Sequence, residues 1–457
     1  MVKIFILLIS FIFLGYTLLG KGFAYLGVAP LFVAELVLLF GLLVALLNPS
    51  LIRRAFTWPV VLLVPFLLWS LLQTIPYLGE YGLNTLRDAA FWGYALFAFL
   101  VYGVVLKNHH HFFALIRFYR TFALLFPILV IPGILFDLLN VPLPNTPGSS
   151  IPLISLKFGD TGVHLAGAVV FVLLGLAMSW RWMVVHLPLW VMSVTAVFGF
   201  TASANRGGAL SFILVNLLAG ASMLTKINGR IVGLLIGFVL SLVIFALASV
   251  AVLSSAQLVG SRPVSIEQIT TNLLSIVLQT ETDAGNVNAN RRWRLMWWEK
   301  IIGYTFHGSY FWTGKGYGIN LATVDGFQVD KQQSLRSPHN VHMTVLARSG
   351  VPGLLFWVVM LLGWAWVILR TRLIAARNGD VLWARLFLWM FCYWVAFLVN
   401  ASFDVFLEGP MGGVPFWLLT GLGFASVVVY GNPTSRPWLW RALQSNASHA
   451  QPAHASY

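Results

Sequence analysis

Charge is scarce in this sequence. Charged residues occupy 9% of 457 positions while apolar residues occupy 59%, and mean hydropathy is +0.85. A soluble domain carries about 25% charged residues, so a water-facing globular fold is excluded. Cysteine is nearly missing: Cys392 is the single one. It lies in an apolar run, which rules out an intramolecular disulfide and reads as a small buried apolar residue. Asp and Glu together number 14, against 28 Lys and Arg, and the carboxylates of the polar loops form no convincing cluster for a divalent ion. Glu281 and Asp283 come nearest to one. Also missing are any repeat with a period of about 20 to 50 residues and the paired interrupted helices of an inverted-repeat transporter.

What is present is a succession of apolar runs, each about 20 residues long and bounded by short polar or Gly/Pro-rich links. About twelve spans are expected, over residues 2–20, 29–48, 58–78, 89–106, 118–138, 163–180, 184–202, 208–225, 231–253, 351–369, 382–401 and 412–430. The fold class is therefore an all-α polytopic membrane protein. Basic residues in short loops stay cytoplasmic. Lys3, Arg53, Arg54, Lys107, Arg117, Arg120, Arg181, Lys226, Arg230, Arg370, Arg372, Arg377, Arg385, Arg436 and Arg441 share one face, whereas Lys21, Arg87, Lys157 and Arg206 are the basic residues of the short loops opposite. Both termini are expected in the cytoplasm, with residues 254–338 outside. The first span reads alternatively as a signal peptide, although its run is long for one and lacks a clear cleavage site. The net charge of +14 belongs mostly to loops that meet anionic headgroups, and nucleic acid is not implied. The expected division is spans one to nine (1–253), a large outer loop and helix (254–350), spans ten to twelve (351–431) and a polar tail (432–457) expected to be disordered beyond a Trp438/Trp440 interfacial anchor. His109, His110 and His111 are read as interfacial, since no Cys or acidic partner accompanies them.

The outer segment holds the unusual residues. A capping-box pattern at Ser265 opens an amphipathic helix through Val277, and a polar link follows over 280–290. Then comes Arg291-Arg292-Trp293-Arg294-Leu295-Met296-Trp297-Trp298, in which Arg291 and Arg294 share a helix face. Snorkelling arginines on an aromatic-belt helix are the competing account. Gly314-Lys315-Gly316-Tyr317-Gly318 lacks the spacing of a phosphate loop and is read as a tight turn. In Arg336-Ser337-Pro338-His339-Asn340-Val341-His342, Ser337 and Pro338 are expected as N-cap and first residue of a helix, with His339 in its first turn. There the helix dipole disfavours imidazolium and leaves a ring able to accept a proton. Arg206, followed by two glycines between apolar helices, suits an anion or a wet cavity. Arg87 sits at the mouth of another span, where Asp88 is its expected ion-pair partner. Asp404 and Glu408, four residues apart, are read as orienting an arginine or a substrate, or as stabilising their loop.

Together these motifs resemble the bacterial O-antigen ligase and polymerase superfamily, over residues 80–430: Ser203-x-x-Arg206-Gly-Gly in a short outer loop, Trp293-Arg294-x-x-Trp297-Trp298 and Gly314-x-Gly-x-Gly318 in one large loop, then His339-Asn340 and Gly350-x-x-Gly353. The resemblance implies a fold like that of the integral-membrane (GT-C type) glycosyltransferases. It also implies transfer of a glycan from undecaprenyl pyrophosphate to a sugar hydroxyl of the lipid A core, at the periplasmic face of a Gram-negative inner membrane, without metal, nucleotide or other cofactor. On that basis Arg206, Arg294, Arg291 and Arg87 are expected to bind pyrophosphate and His339 to act as base, with Asn340, His342, Arg336, Asp404 and Glu408 in support. A polymerase or a protein O-oligosaccharyltransferase uses the same donor. A transporter is the alternative of another class, argued from Glu35 within the second span.

Overall fold

Backbone in hydrocarbon must satisfy its own hydrogen bonds, and a helix does so locally. The computed structural model describes residues 1–139, 141–177, 180–222 and 284–444 and is helical through most of them. Seven helices among the described residues are long and apolar enough to cross a bilayer: Val60–Tyr81, Leu83–Lys107, His110–Leu138, His186–Ala204, Val341–Arg377, Val381–Ala401 and Pro410–Gly431. The chain is an all-α, multi-pass membrane protein.

Apolar runs do not report where a helix bends or stops, and four expected spans show it. Val2–Leu18, Phe158–Leu173 and Arg206–Ala221 are shorter apolar helices. The second run opens with a two-stranded hairpin pairing Gly27 with Phe32, forms helix Val33–Leu46, then turns by 107° into Pro49–Ala55. The sixth run ends its helix at Leu173, ahead of Gly175 with φ of 73°. The ninth expected span, the amphipathic helix from Ser265 and the first part of the polar link lie outside the described residues.

Helix faces pack through bulk and close approach in place of a polar exterior. Trp357, Trp364, Trp389, Trp417 and Tyr393 are fully buried, while Leu7, Leu46, Leu72, Leu217 and Leu362 face outward, as lipid contact permits. A Cβ on Gly421 would lie 2.4 Å from the Ala98 carbonyl oxygen, so only glycine lets Pro410–Gly431 and Leu83–Lys107 approach this closely.

At one end of the bundle the tail returns to the core. The tail is ordered further than expected: helix Arg436–Gln444 buries Leu439, Ala442 and Leu443, and the Trp383 indole donates to the Arg436 carbonyl at 3.1 Å. Trp438 and Trp440 remain exposed, as an interfacial anchor requires. The His109 ring meets the Ser435 hydroxyl at 2.7 Å and His110 lies edge-on to Trp438. Those histidines therefore join the tail to the bundle, and no metal-ligand group of three occurs among the described residues.

The opposite end carries the candidate site. Glu35 lies in the first turn of Val33–Leu46, where Oε2 accepts from the Phe32 N–H at 3.1 Å and Oε1 from the Tyr94 hydroxyl at 2.5 Å. Its carboxylate caps the helix and accepts from Tyr94.

Candidate active site

Helix Ala284–Phe306 brings the Trp-Arg motif to this end, so the polar link expected over 280–290 is already helical from Ala284. Its pin is a buried network. The Trp297 indole donates to Asp325 Oδ2 at 2.7 Å, Lys315 forms an ion pair with the other oxygen of Asp325, and Lys300 donates to the Asp325 carbonyl. Lys315 comes from the glycine turn, where Gly314, Gly316 and Gly318 all have positive φ. A Cβ on Gly316 would collide with the Tyr77 ring at 2.0 Å. The turn reading holds.

The helix start after Pro338 differs from expectation. Asn340 is the N-cap, its Oδ1 accepting from the N–H groups of His342 at 2.9 Å and Met343 at 3.1 Å, and the helix begins at Val341. An Asn with two donors in reach caps better than Ser337, which is buried upstream. His339 therefore stands outside the helix with φ of 53°, a conformation that costs a residue other than glycine about 1 to 3 kcal/mol. Gly350, with φ of 69° and ψ of −171°, is non-helical, so Val341–Arg377 is two helices joined across a kink there.

This strained backbone turns the His339 ring towards the segment between helices Val381–Ala401 and Pro410–Gly431. His339 Nδ1 lies 3.4 Å from Asp404 Oδ1, with side-chain exposures of 28% and 22%, so both groups are reachable. Asp404 Oδ1 also accepts from the Val405 N–H at 2.7 Å. Burial pushes the Asp404 carboxyl up, but the His339 hydrogen bond, the Lys157 charge and the Val405 N–H outweigh it and hold Asp404 below the usual carboxylate range. Asp404 is thus an anion at neutral pH. An imidazole facing that anion keeps its proton on Nδ1, which leaves Nε2 as acceptor.

The other residues of this segment are tied in place. The Asn340 amide donates to the Ser402 carbonyl at 3.1 Å. The His342 ring accepts from the Trp357 indole through Nδ1 at 3.0 Å, and its Nε2 meets the Ser402 hydroxyl at 3.3 Å. Because an indole N–H only donates, the proton of a neutral His342 is on Nε2, and the ring acts as a clamp. Thr344 donates to Glu408 Oε1 at 2.7 Å; burial pushes Glu408 up against the opposing pull of Arg348 and Thr344. Glu408 thus holds the segment to helix Val341–Arg377.

The expected cations divide into two groups. Arg294 donates to the Phe403 carbonyl at 2.8 Å, one residue from Asp404. Arg206 opens helix Arg206–Ala221 next to the same segment: a Cβ on Gly207 would fall 2.8 Å from Asn400 Oδ1 and 3.3 Å from Phe403 Cβ. The helix is capped by Asn205, whose side chain accepts from the Gly208 N–H, and its positive end adds to the cationic field. Arg291 is exposed on the outer helix. Arg87 and Arg336 lie elsewhere. Asp88 does not pair with Arg87 as expected: its Oδ2 accepts from Arg336 at 2.9 Å and pairs with Arg348 at 3.0 Å. The charges that act on Arg87 include Arg336, Asp88 and Arg348. Arg336 also donates to the Gly318 carbonyl, so it locks the glycine turn to helix Leu83–Lys107.

Sequence reasoning missed two cations. Arg348 is 2% exposed, and a charge inside an apolar helix was the signal that could have found it. Lys157 gave no such signal; it faces Asp160, Asp404 and Glu408, whose charges raise its pKa above the lysine value against the opposing effect of burial. Asp88→Asn is expected to destabilise the fold by about 3 kcal/mol, because it leaves Arg348 buried without its counter-ion. Denaturant unfolding in micelles measures this, and an unchanged midpoint would count against a structural role for the pair.

No family model matches the chain, and no curated protein matches it.

Proposed function

We propose that the protein is a glycosyltransferase that moves a glycan from undecaprenyl pyrophosphate to a sugar hydroxyl of the lipid A core, working at the periplasmic face of a Gram-negative inner membrane. The observation supporting this reading is the His339–Asp404 pair, strained into place and reachable, beside an Arg294 held on the adjacent residue. The acceptor oxygen attacks the anomeric carbon, its proton passes to His339 Nε2, and the bond from that carbon to the pyrophosphate oxygen breaks. Undecaprenyl pyrophosphate leaves as an anion, stabilised by Arg206 and Arg294, with Arg291 available from the same helix as Arg294. One displacement inverts the anomeric centre, and comparing donor and product linkages by NMR tests that; retained configuration contradicts a single-step transfer.

Two expected results follow from fixed arginines taking the role a divalent ion plays elsewhere. Transfer in excess EDTA should run at close to the untreated rate. A stop that Mg²⁺ or Mn²⁺ reverses would transfer the role to a metal. Arg206→Lys keeps the charge but loses the planar fork, so transfer should fall by about 10- to 100-fold. A snorkelling anchor would accept lysine, and full activity of this variant would favour that role.

A further inference from the structure

Trp293 lies beside His339, with ring centroids 6.3 Å apart and planes at 65°. Its ring is buttressed edge-to-face by Trp297 at 5.3 Å and Phe327 at 6.0 Å, while Trp297 stacks on Phe327 and is fixed by Asp325. The indole is therefore held rigidly, yet it is only half-buried. Its N–H has no hydrogen-bond partner among the described residues. Its two neighbours on the same helix differ: Trp297 and Trp298 both donate to a protein acceptor. A rigid aromatic face with a spare donor at its edge suits a ligand that is apolar on one side and hydroxylated at its rim. A pyranose ring has that character: its axial C–H groups form an apolar face and its hydroxyls accept hydrogen bonds.

We propose that Trp293 is the stacking platform of a sugar-binding subsite, seating a pyranose ring next to His339. The proposal rests on the glycan-transfer reading and names the substrate feature that the site recognises. The ring is either the first sugar of the donor or the accepting sugar, and the two are separable. Binding to protein in nanodiscs is measured in three arms: undecaprenyl pyrophosphate bearing one hexose, bare undecaprenyl pyrophosphate, and deacylated lipid A core oligosaccharide. Trp293→Ala is expected to weaken one sugar-bearing arm about tenfold while leaving the bare carrier unchanged. The arm affected identifies which sugar sits on the indole. Trp293→Phe, which keeps the ring packing but removes the N–H, should lose about threefold in the same arm. Unchanged affinity in both sugar arms overturns the proposal, as does an equal loss for the bare carrier, which would mark a packing defect. Wild-type protein that shows the sugar-dependent loss on Trp293→Ala and yet transfers nothing would keep the subsite and refute the transferase reading.

Discussion

His339→Ala should lower glycan transfer by about two to four orders of magnitude while leaving folding and membrane insertion intact. The magnitude is that of a missing general base. Insertion should survive because the ring lies outside helix Val341–Arg377, whose cap is Asn340, and its contacts are with the partly exposed Asp404 and Trp293. Removing the side chain does not relieve the positive φ, so His339→Gly is the informative companion: it should be at least as stable as wild type and just as inactive. Near-normal turnover of either variant would take His339 out of the mechanism.

Asp404→Asn should cost about two orders of magnitude or more at neutral pH. The amide keeps the size of the side chain but withdraws the anion that holds the His339 proton on Nδ1 and stabilises the imidazolium formed in the reaction. The effect belongs in kcat. A loss confined to KM would place Asp404 in binding only. The same carboxylate has a stability signature. Its pKa is held down in the folded state, so its contribution is complete above the usual carboxylate range and fades as pH falls through the folded value. Asp404→Asn should flatten the acid side of the unfolding profile, and an unaltered acid limb would mean the charge is not coupled to folding.

Much of the architecture was legible because membrane insertion writes itself into apolar run length. The residues that mislead are those where a local break overrules hydropathy: Pro49 after Asn48, Gly175, and the hairpin before Val33. The site was legible by contrast, since Arg206, the Trp-Arg motif and the Arg336–His342 stretch are polar islands among apolar runs. Its wiring was not. Asp88 finds Arg336 across 248 positions of chain, and nothing local distinguishes that partner from the adjacent Arg87. The cap was misassigned because Ser337-Pro338 and Asn340 are both start signals, and the choice between them depends on where the 402–408 segment receives the Asn340 amide. Lys157 and Trp293 acquire meaning only from what folds against them.

Transfer by purified, reconstituted protein is the most direct test of the central claim, that the His339–Asp404 pair and its neighbouring arginines move a lipid-linked glycan onto a sugar. Wild-type protein given undecaprenyl-pyrophosphate-linked glycan, with lipid A core or a second carrier-linked glycan as acceptor, should form glycan-bearing lipid A core in the presence of EDTA, and His339→Ala should not. Elongation of the carrier-linked glycan instead would keep the chemistry and change the acceptor to that of a polymerase. Absence of any transfer, with solute flux through the same proteoliposomes, would contradict the account.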